Sequence, residues 1–314
     1  MEKREVLFTN KDLKKLIIPL IIEQLLTVTV GLADSIMISS VGEAAVSGVS
    51  LVDSIMILLI NMFSALATGG AVVAGQYLGQ KKHVMACKTA DQLILFISAL
   101  ALVIMAGIYA MRGFILHGVF GAIEPAVMHS AEVYLLIVTA SIPFLAVYNG
   151  CAALFRTMGN SKTAMQMSLF MNAINIIGNA ALIYGVGMGV EGAAIPTLVS
   201  RVIAAAVILV LLKNRNQAVH ISRNFHFKFK GFLVSRILKI GVPNGVENSM
   251  FQLGKILVLS LVAGFGTASI TANAVSNMVA MFEIIPGMAV GLAVLTVVSR
   301  CVGASEDRKS TRLN

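Results

Sequence analysis

The stretch Leu16-Ile-Ile-Pro19-Leu-Ile-Ile-Glu23-Gln-Leu-Leu-Thr-Val-Thr-Val-Gly31-Leu-Ala-Asp34-Ser-Ile-Met-Ile-Ser39 contains two carboxylates, one proline and no basic residue. A helix needs about 20 apolar residues to cross a hydrocarbon core, so this run is long enough to span one. Seven more such stretches follow: Leu51–Tyr77, Gln92–Met111, Ala131–Phe155, Ala164–Val186, Ala193–Leu212, Leu238–Gly264 and Val275–Ser299. None alternates polar and apolar residues, which sets aside a transmembrane barrel. Met1–Lys15 is charged and the run after it is long enough to span, so no cleavable leader is expected. The fold class is an all-α integral membrane protein with about eight transmembrane helices.

Composition agrees. Of 314 residues, 57% are hydrophobic and only 12% charged, against roughly half and a quarter in soluble domains. That excludes a soluble enzyme, a disordered tail or a nucleic-acid module as the main body. Cys87, Cys151 and Cys301 lie far apart, and His83, His117, His129, His220 and His226 form no ligand pair. They make no disulfide framework and no firm metal site.

The basic residues orient the chain. All of the 24 Lys and Arg except Arg112, Arg201 and Lys255 fall on one side of the spans. That side holds the N-terminus, and it is expected to be cytoplasmic, with the protein multi-pass in the plasma or inner membrane. The basic linker 213–236 interleaves Phe225, Phe227 and Phe229 with its charges. Between two spans, its part 213–230 is expected to lie on anionic lipid rather than on RNA.

Sliding the chain against itself by 224 residues pairs Lys15 with Lys239, Pro19 with Pro243 and Glu23 with Glu247. The same shift pairs Gly42 with Gly266, Ala44 with Ala268 and Gly79 with Gly303. Spans one and seven start on the same side, so the repeats are parallel, a transporter architecture with the substrate site between the halves. The expected organisation is a six-helix bundle over 1–212, the linker 213–236, and the start of a second bundle over 237–304. A polar tail fills 305–314. Asp307–Asn314 also matches the translation of a common DNA-sequencing adapter, so a non-native tail on about two-thirds of a twelve-span protein is expected.

Four groups of residues carry a family resemblance. They are Gly31-Leu-Ala-Asp34-Ser-Ile-Met-Ile with Val41-Gly42-Glu43, and Arg156-Thr-Met-Gly159-Asn160-Ser-Lys162 with Asn172-Ala-Ile-Asn175-Ile-Ile-Gly178-Asn179. The others are Gly187-Met-Gly189-Val-Glu191-Gly192-Ala-Ala-Ile-Pro-Thr197 and Gly241-Val-Pro243-Asn-Gly-Val-Glu247. Together, from about Leu16 to Ala304, the chain resembles the multidrug and toxic compound extrusion (MATE) transporters. The resemblance implies two six-helix bundles exporting amphipathic, cationic compounds in exchange for entering H⁺ or Na⁺, with no other cofactor. It implies a coupling site at Asp34, Asn175 and Asn179, supported by the hydroxyls of Tyr134 and Thr197, with Na⁺ conceivable at Asp34. Many proton-coupled members have a second aspartate where Asn179 stands, so Asp34 is expected to be the only titrating group of the cluster. Some sodium-coupled members have a span-seven glutamate where Phe251 stands, one turn beyond Glu247.

The residues support a similar reading on physical grounds. A carboxylate at the centre of a span costs about 2.5–3.5 kcal/mol on insertion scales, so Asp34 must face water or a partner. It can be a functional group or a helix-pinning one. Asn175 and Asn179 share a helix face and can serve as a site or as interhelical glue. Glu247 and Lys255, about two turns apart, can face a second-half cavity with Glu283, or form a static ion pair. The Gly187-x-Gly189-x-x-Gly192 spacing fits a dinucleotide fingerprint, but it joins two spans and follows no strand, so it reads as a tight turn. Two other functions compete with export. A flippase of lipid-linked precursors would need several basic residues in its cavity, and only Arg201 and Lys255 lie within spans. An intramembrane enzyme would need a histidine or nucleophile constellation that the spans lack. Small amphipathic molecules are the expected partners, nucleic acid is not, and the protein is expected to be a monomer.

Overall fold

The computed structural model describes residues 8–119, 124–221, 229–263 and 267–312. Among them the regular elements are all helical. They are α1 (Asn10–Ser39), α2 (Glu43–Gly79), α3 (His83–Ala110), α4 (Pro125–Thr139) and α5 (Ile142–Thr157). α6 (Ser161–Ala180), α7 (Glu191–Leu212), α8 (Gly231–Ala263) and α9 (Thr267–Arg312) follow. The side on which α1 begins is called proximal below, and the opposite side distal.

Local chemistry sets the boundaries. Thr9 and Asp12 form a reciprocal capping box: the Thr9 N–H donates to Asp12 Oδ2 at 3.0 Å and the Asp12 N–H to Thr9 Oγ at 3.3 Å. The Thr9 hydroxyl also donates to Asp12 Oδ2, at 2.6 Å, and that bond, followed by the one from the Thr9 N–H, holds the Asp12 carboxyl below the usual carboxylate range. Six helices are each long and apolar enough to cross a membrane, and α4 with α5 makes a seventh, bent by 50°. The bend follows from Pro143, whose ring nitrogen has no hydrogen to donate to the preceding turn. α8 has 33 residues and the length of a span, but Arg236, Lys239, Glu247 and Lys255 dilute its apolar run.

Three expectations are revised. The polar run 305–314, read as a tail, continues α9 as helix as far as Arg312; 313–314 lie outside the described residues. Within the basic linker, 222–228, with Phe225 and Phe227, also lie outside them. The described flank does more than rest on a surface. Val219 and Ile221 are buried in the core with Cys87, Leu154 and Leu212, and the Lys230 N–H donates to Gln92 Oε1 at 2.6 Å. Arg156, left just outside the fourth apolar run Ala131–Phe155 in the sequence, instead occupies the last turn of α5 and is ion-paired with buried Glu23 of α1. Its carbonyl accepts from Thr296 Oγ of α9 at 3.3 Å.

The 224-residue offset reappears as a geometric symmetry. α1 packs on α9 through Leu16, Leu20, Ala289 and Ala293. The same shift carries that contact onto α8 and α2, where Gly241 lies against Ala65 and Leu66. Between the two contacts, α2 crosses α9 near their proximal ends at a glycine pair. A Cβ on Gly79 would sit 2.2 Å from the Arg300 carbonyl oxygen, and one on Gly303 2.1 Å from that of Gln76. Gln76 and Arg300 are themselves 224 residues apart. Backbone therefore meets backbone at an approximate twofold axis.

Two predictions follow from this packing. Gly79→Val and Gly303→Val should each destabilise the protein by about 1–3 kcal/mol through overpacking, whereas Gly107→Val, facing open space, should not. Equal unfolding temperatures in detergent for all three would rule the crossing out as a tight contact. Glu23→Gln should cost about 3–5 kcal/mol by stranding the Arg156 guanidinium, while Glu23→Leu with Arg156→Met should be near neutral. The same melts report both, and a double variant as unstable as the single would contradict the ion-pair account.

Candidate functional site

The distal half of the first bundle encloses a cavity of about 260 Å³ between α1, α2, α4, α6 and α7. Its wall carries Asp34, Asp53, Tyr134, Asn175, Asn179, Thr197 and Arg201. Every first-half residue expected at the site is therefore gathered around one space.

Two polar groups stand out. In the first, Asn179 Nδ2 donates to Asp34 Oδ1 at 2.8 Å. One terminal atom of the Asn175 amide lies 3.0 and 3.3 Å from the two Asp34 carboxylate oxygens, and the other lies 3.0 Å from Thr197 Oγ. With its nitrogen toward Asp34, Asn175 donates to the ionised carboxylate. Turned over, Asn175 donates to Thr197 Oγ at 3.0 Å and sets oxygen against oxygen, which only a proton or a cation between them can stabilise. Asn179 is 1% exposed, and its Oδ1 has no hydrogen-bond partner. A buried amide oxygen and a carboxylate lining one cavity are oxygen donors of the kind that hard cations take. Among the described residues no group of three or more His, Cys, Asp or Glu could hold a metal.

The second group is deeper. Tyr134 Oη donates to Asp53 Oδ1 at 3.3 Å. Arg201 Nη1 donates to Ser141 Oγ at 2.7 Å, and that hydroxyl donates to the Val138 carbonyl at 2.6 Å. Ser141 stands at the α4–α5 bend, so the break caused by Pro143 supplies the anchor for a guanidinium within the span.

Asp53 corrects the expectation of a single titrating carboxylate: the same cavity holds two. It lies at the edge of the apolar run Leu51–Tyr77 and so resembles a residue at a span end. α2 begins at Glu43, however, which puts Asp53 ten residues inside the helix. Arg201 was visible as an intramembrane charge, but no partner for it was legible from residue spacing. Glu247, Lys255 and Glu283 are not brought together. All three are exposed, none lines this cavity, and Lys255 Nζ stands 5.0 Å over the Phe251 ring.

Comparison with known proteins gives a consistent picture. A family model described as MatE matches residues 19–181 and 243–312. An uncharacterised transporter of Bacillus subtilis, YisQ, is 28% identical over 92% of this chain and 64% of its own length. A probable multidrug resistance protein, NorM, of Thermotoga maritima is 24% identical over 96% of this chain and 65% of its own. The chain thus spans about two-thirds of the length of these relatives. A solved MOP superfamily transporter from Pyrococcus furiosus superposes with a TM-score of 0.85 at 22% identity, covering 96% of this chain and 67% of that one. A structure described as the outward-facing conformation of a multidrug resistance MATE family transporter gives 0.84 at 21%, with 96% and 67% covered.

Proposed function

The chain belongs to the MatE family, and we propose that it serves as a secondary active antiporter that exports amphipathic, cationic compounds in exchange for H⁺ or Na⁺. The family is one of transporters and not of enzymes. The observation that carries the proposal is the Asp34 carboxylate in a polar cavity, held by the Asn179 amide and faced by that of Asn175. Substrate cation and coupling ion would compete for the same charge. Whichever arrives displaces the other, so neither crosses without exchange.

Orientation supports the direction of transport. With the basic proximal side in the cytoplasm, the cavity lies in the outer half of the plasma or inner membrane and the Gly79–Gly303 crossing lies on the inner side. That arrangement fits a state which releases substrate outward and takes up the coupling ion there. One entering proton supplies about 2.3 kcal/mol per 100 mV. If a monovalent cation leaves in exchange, the charges cancel and only the pH difference drives export. A flippase of lipid-linked precursors is less well supported, because among the described residues Arg201 is the only basic one lining the cavity. Anionic lipid along 213–230 and a monomeric state complete the proposal.

Asp34→Asn should abolish efflux driven by a pH or Na⁺ gradient while leaving the unfolding temperature near that of the unaltered protein. Dye efflux from vesicles holding the twelve-span parent expected from the repeat checks this, first under a pH gradient and then under a Na⁺ gradient. Unchanged efflux would remove Asp34 from the mechanism. Asn179→Asp places a second carboxylate within hydrogen-bond distance of Asp34 and should split the titration into two coupled steps. Its efflux should then follow a shifted and broadened pH profile, and an identical profile would mean that Asn179 lies outside the site.

A further inference from the structure

Asp53 and Arg201 share the cavity with Asp34 but take no part in the hydrogen bonds of the amide pair. Each stands ten residues from the distal end of its helix, about 15 Å deep at 1.5 Å per residue. Asp34 is five residues from the distal end of α1, about 8 Å deep. The cavity is therefore tiered, with the amide pair and Asp34 above and Asp53, Tyr134 and Arg201 below. Among the described residues the ion pair within 4.0 Å is Glu23–Arg156, so Arg201 is clamped to Ser141 without touching either aspartate. The charged and titratable groups facing the cavity are Asp34 from α1, Asp53 from α2, Tyr134 from α4 and Arg201 from α7, while α6 contributes amides. With both carboxylates ionised, the formal sum is one negative charge.

We propose that Arg201 is the resident countercharge of Asp53, so that the two cancel across the cavity and Asp34 alone sets the net charge offered to substrate. The geometry gives the reason. A guanidinium in a low-dielectric span is costly without compensation, and Asp53 is the carboxylate at its own depth. Clamping Arg201 to Ser141 keeps it from collapsing onto Asp53, so the space between them stays open while their fields cancel. Asp53 and Arg201 thereby act as specificity-determining residues: they limit the cavity to one monocation and make occupancy of Asp34 decisive for coupling. The proposal rests on the cation-exchange reading above and deepens it.

The test is a charge cycle on the purified full chain in detergent, with calorimetric titration of tetraphenylphosphonium, a monocation, and methyl viologen, a dication. The unaltered chain should bind tetraphenylphosphonium at least about tenfold more tightly than methyl viologen, since a net charge of one cannot neutralise two. Asp53→Asn leaves Arg201 to cancel Asp34, and monocation affinity should fall about tenfold or more. Arg201→Gln exposes a second carboxylate, and dication affinity should rise by a similar factor. The double variant restores a net charge of minus one and should recover most of the monocation affinity lost in Asp53→Asn. A purely structural role would not produce that recovery. If a thermal melt shows Asp53→Asn or the double variant folded but the cycle does not close, the proposal is overturned. If a variant does not fold, the preference of the unaltered chain decides, and dication binding equal to or tighter than monocation binding overturns it. Binding of neither cation would overturn the cation-exchange reading itself, an outcome distinct from a cycle that binds but fails to close.

Discussion

Two backbones in van der Waals contact at Gly79 and Gly303 hold the proximal ends of the two repeats together, and much of the fold depends on that contact. Inside a bilayer the hydrophobic effect does not press helices together, because lipid tails are as apolar as leucine. Close approach through small residues has to do it instead. At this crossing each glycine lies against the backbone of the other helix, Gly79 on Arg300 and Gly303 on Gln76, so α2 and α9 can meet at the axis relating the halves. The neighbouring contacts, Leu16 and Leu20 on Ala289 and Ala293 and Gly241 on Ala65 and Leu66, then fall into place as copies of each other. With the proximal ends joined, the distal ends of α1, α2, α4, α6 and α7 are left to surround a cavity.

With the exception of Asn179 Oδ1, the side chains named in that cavity meet the other constraint of a membrane interior, that each buried donor and acceptor needs a partner. Asp34 is met by amides, Asp53 by the Tyr134 hydroxyl and Arg201 by Ser141. Glu23 and Arg156 solve the same problem by direct pairing at the seam of α1, α5 and α9. These two solutions differ in consequence. A closed ion pair is inert and holds helices in register. Charges held apart around an open space remain available to whatever enters it.

Helix positions were legible in the sequence because the hydrocarbon thickness dictates span length, and the repeat was legible because proline and glycine mark backbone positions that few other residues fill. The bend in the fourth span was not, since Pro143 near the middle of an apolar run is equally compatible with a kinked continuous helix. Within the site, Asp34, Asn175 and Asn179 stood out as polar residues on apolar faces. Asp53 escaped notice because hydropathy places the start of span two eight residues after the helix begins. Arg156 was misread for the converse reason: a charge next to Gly159 and Asn160 resembles a loop until a buried glutamate on another helix is seen beside it.

Asn175 has a consequence of its own. A carboxamide has nearly the same outline whichever way it faces, yet one face donates and the other accepts. Half a turn about a single terminal bond converts a cradle for an anion into a ligand for a cation, with no change in volume, charge or backbone position. Such a rotation moves only the terminal oxygen and nitrogen of one side chain, whereas collective movements of helices take microseconds to milliseconds. Under the exchange proposed above, such a receptor would trade one ion for another by a rotation that leaves the surrounding helices where they are.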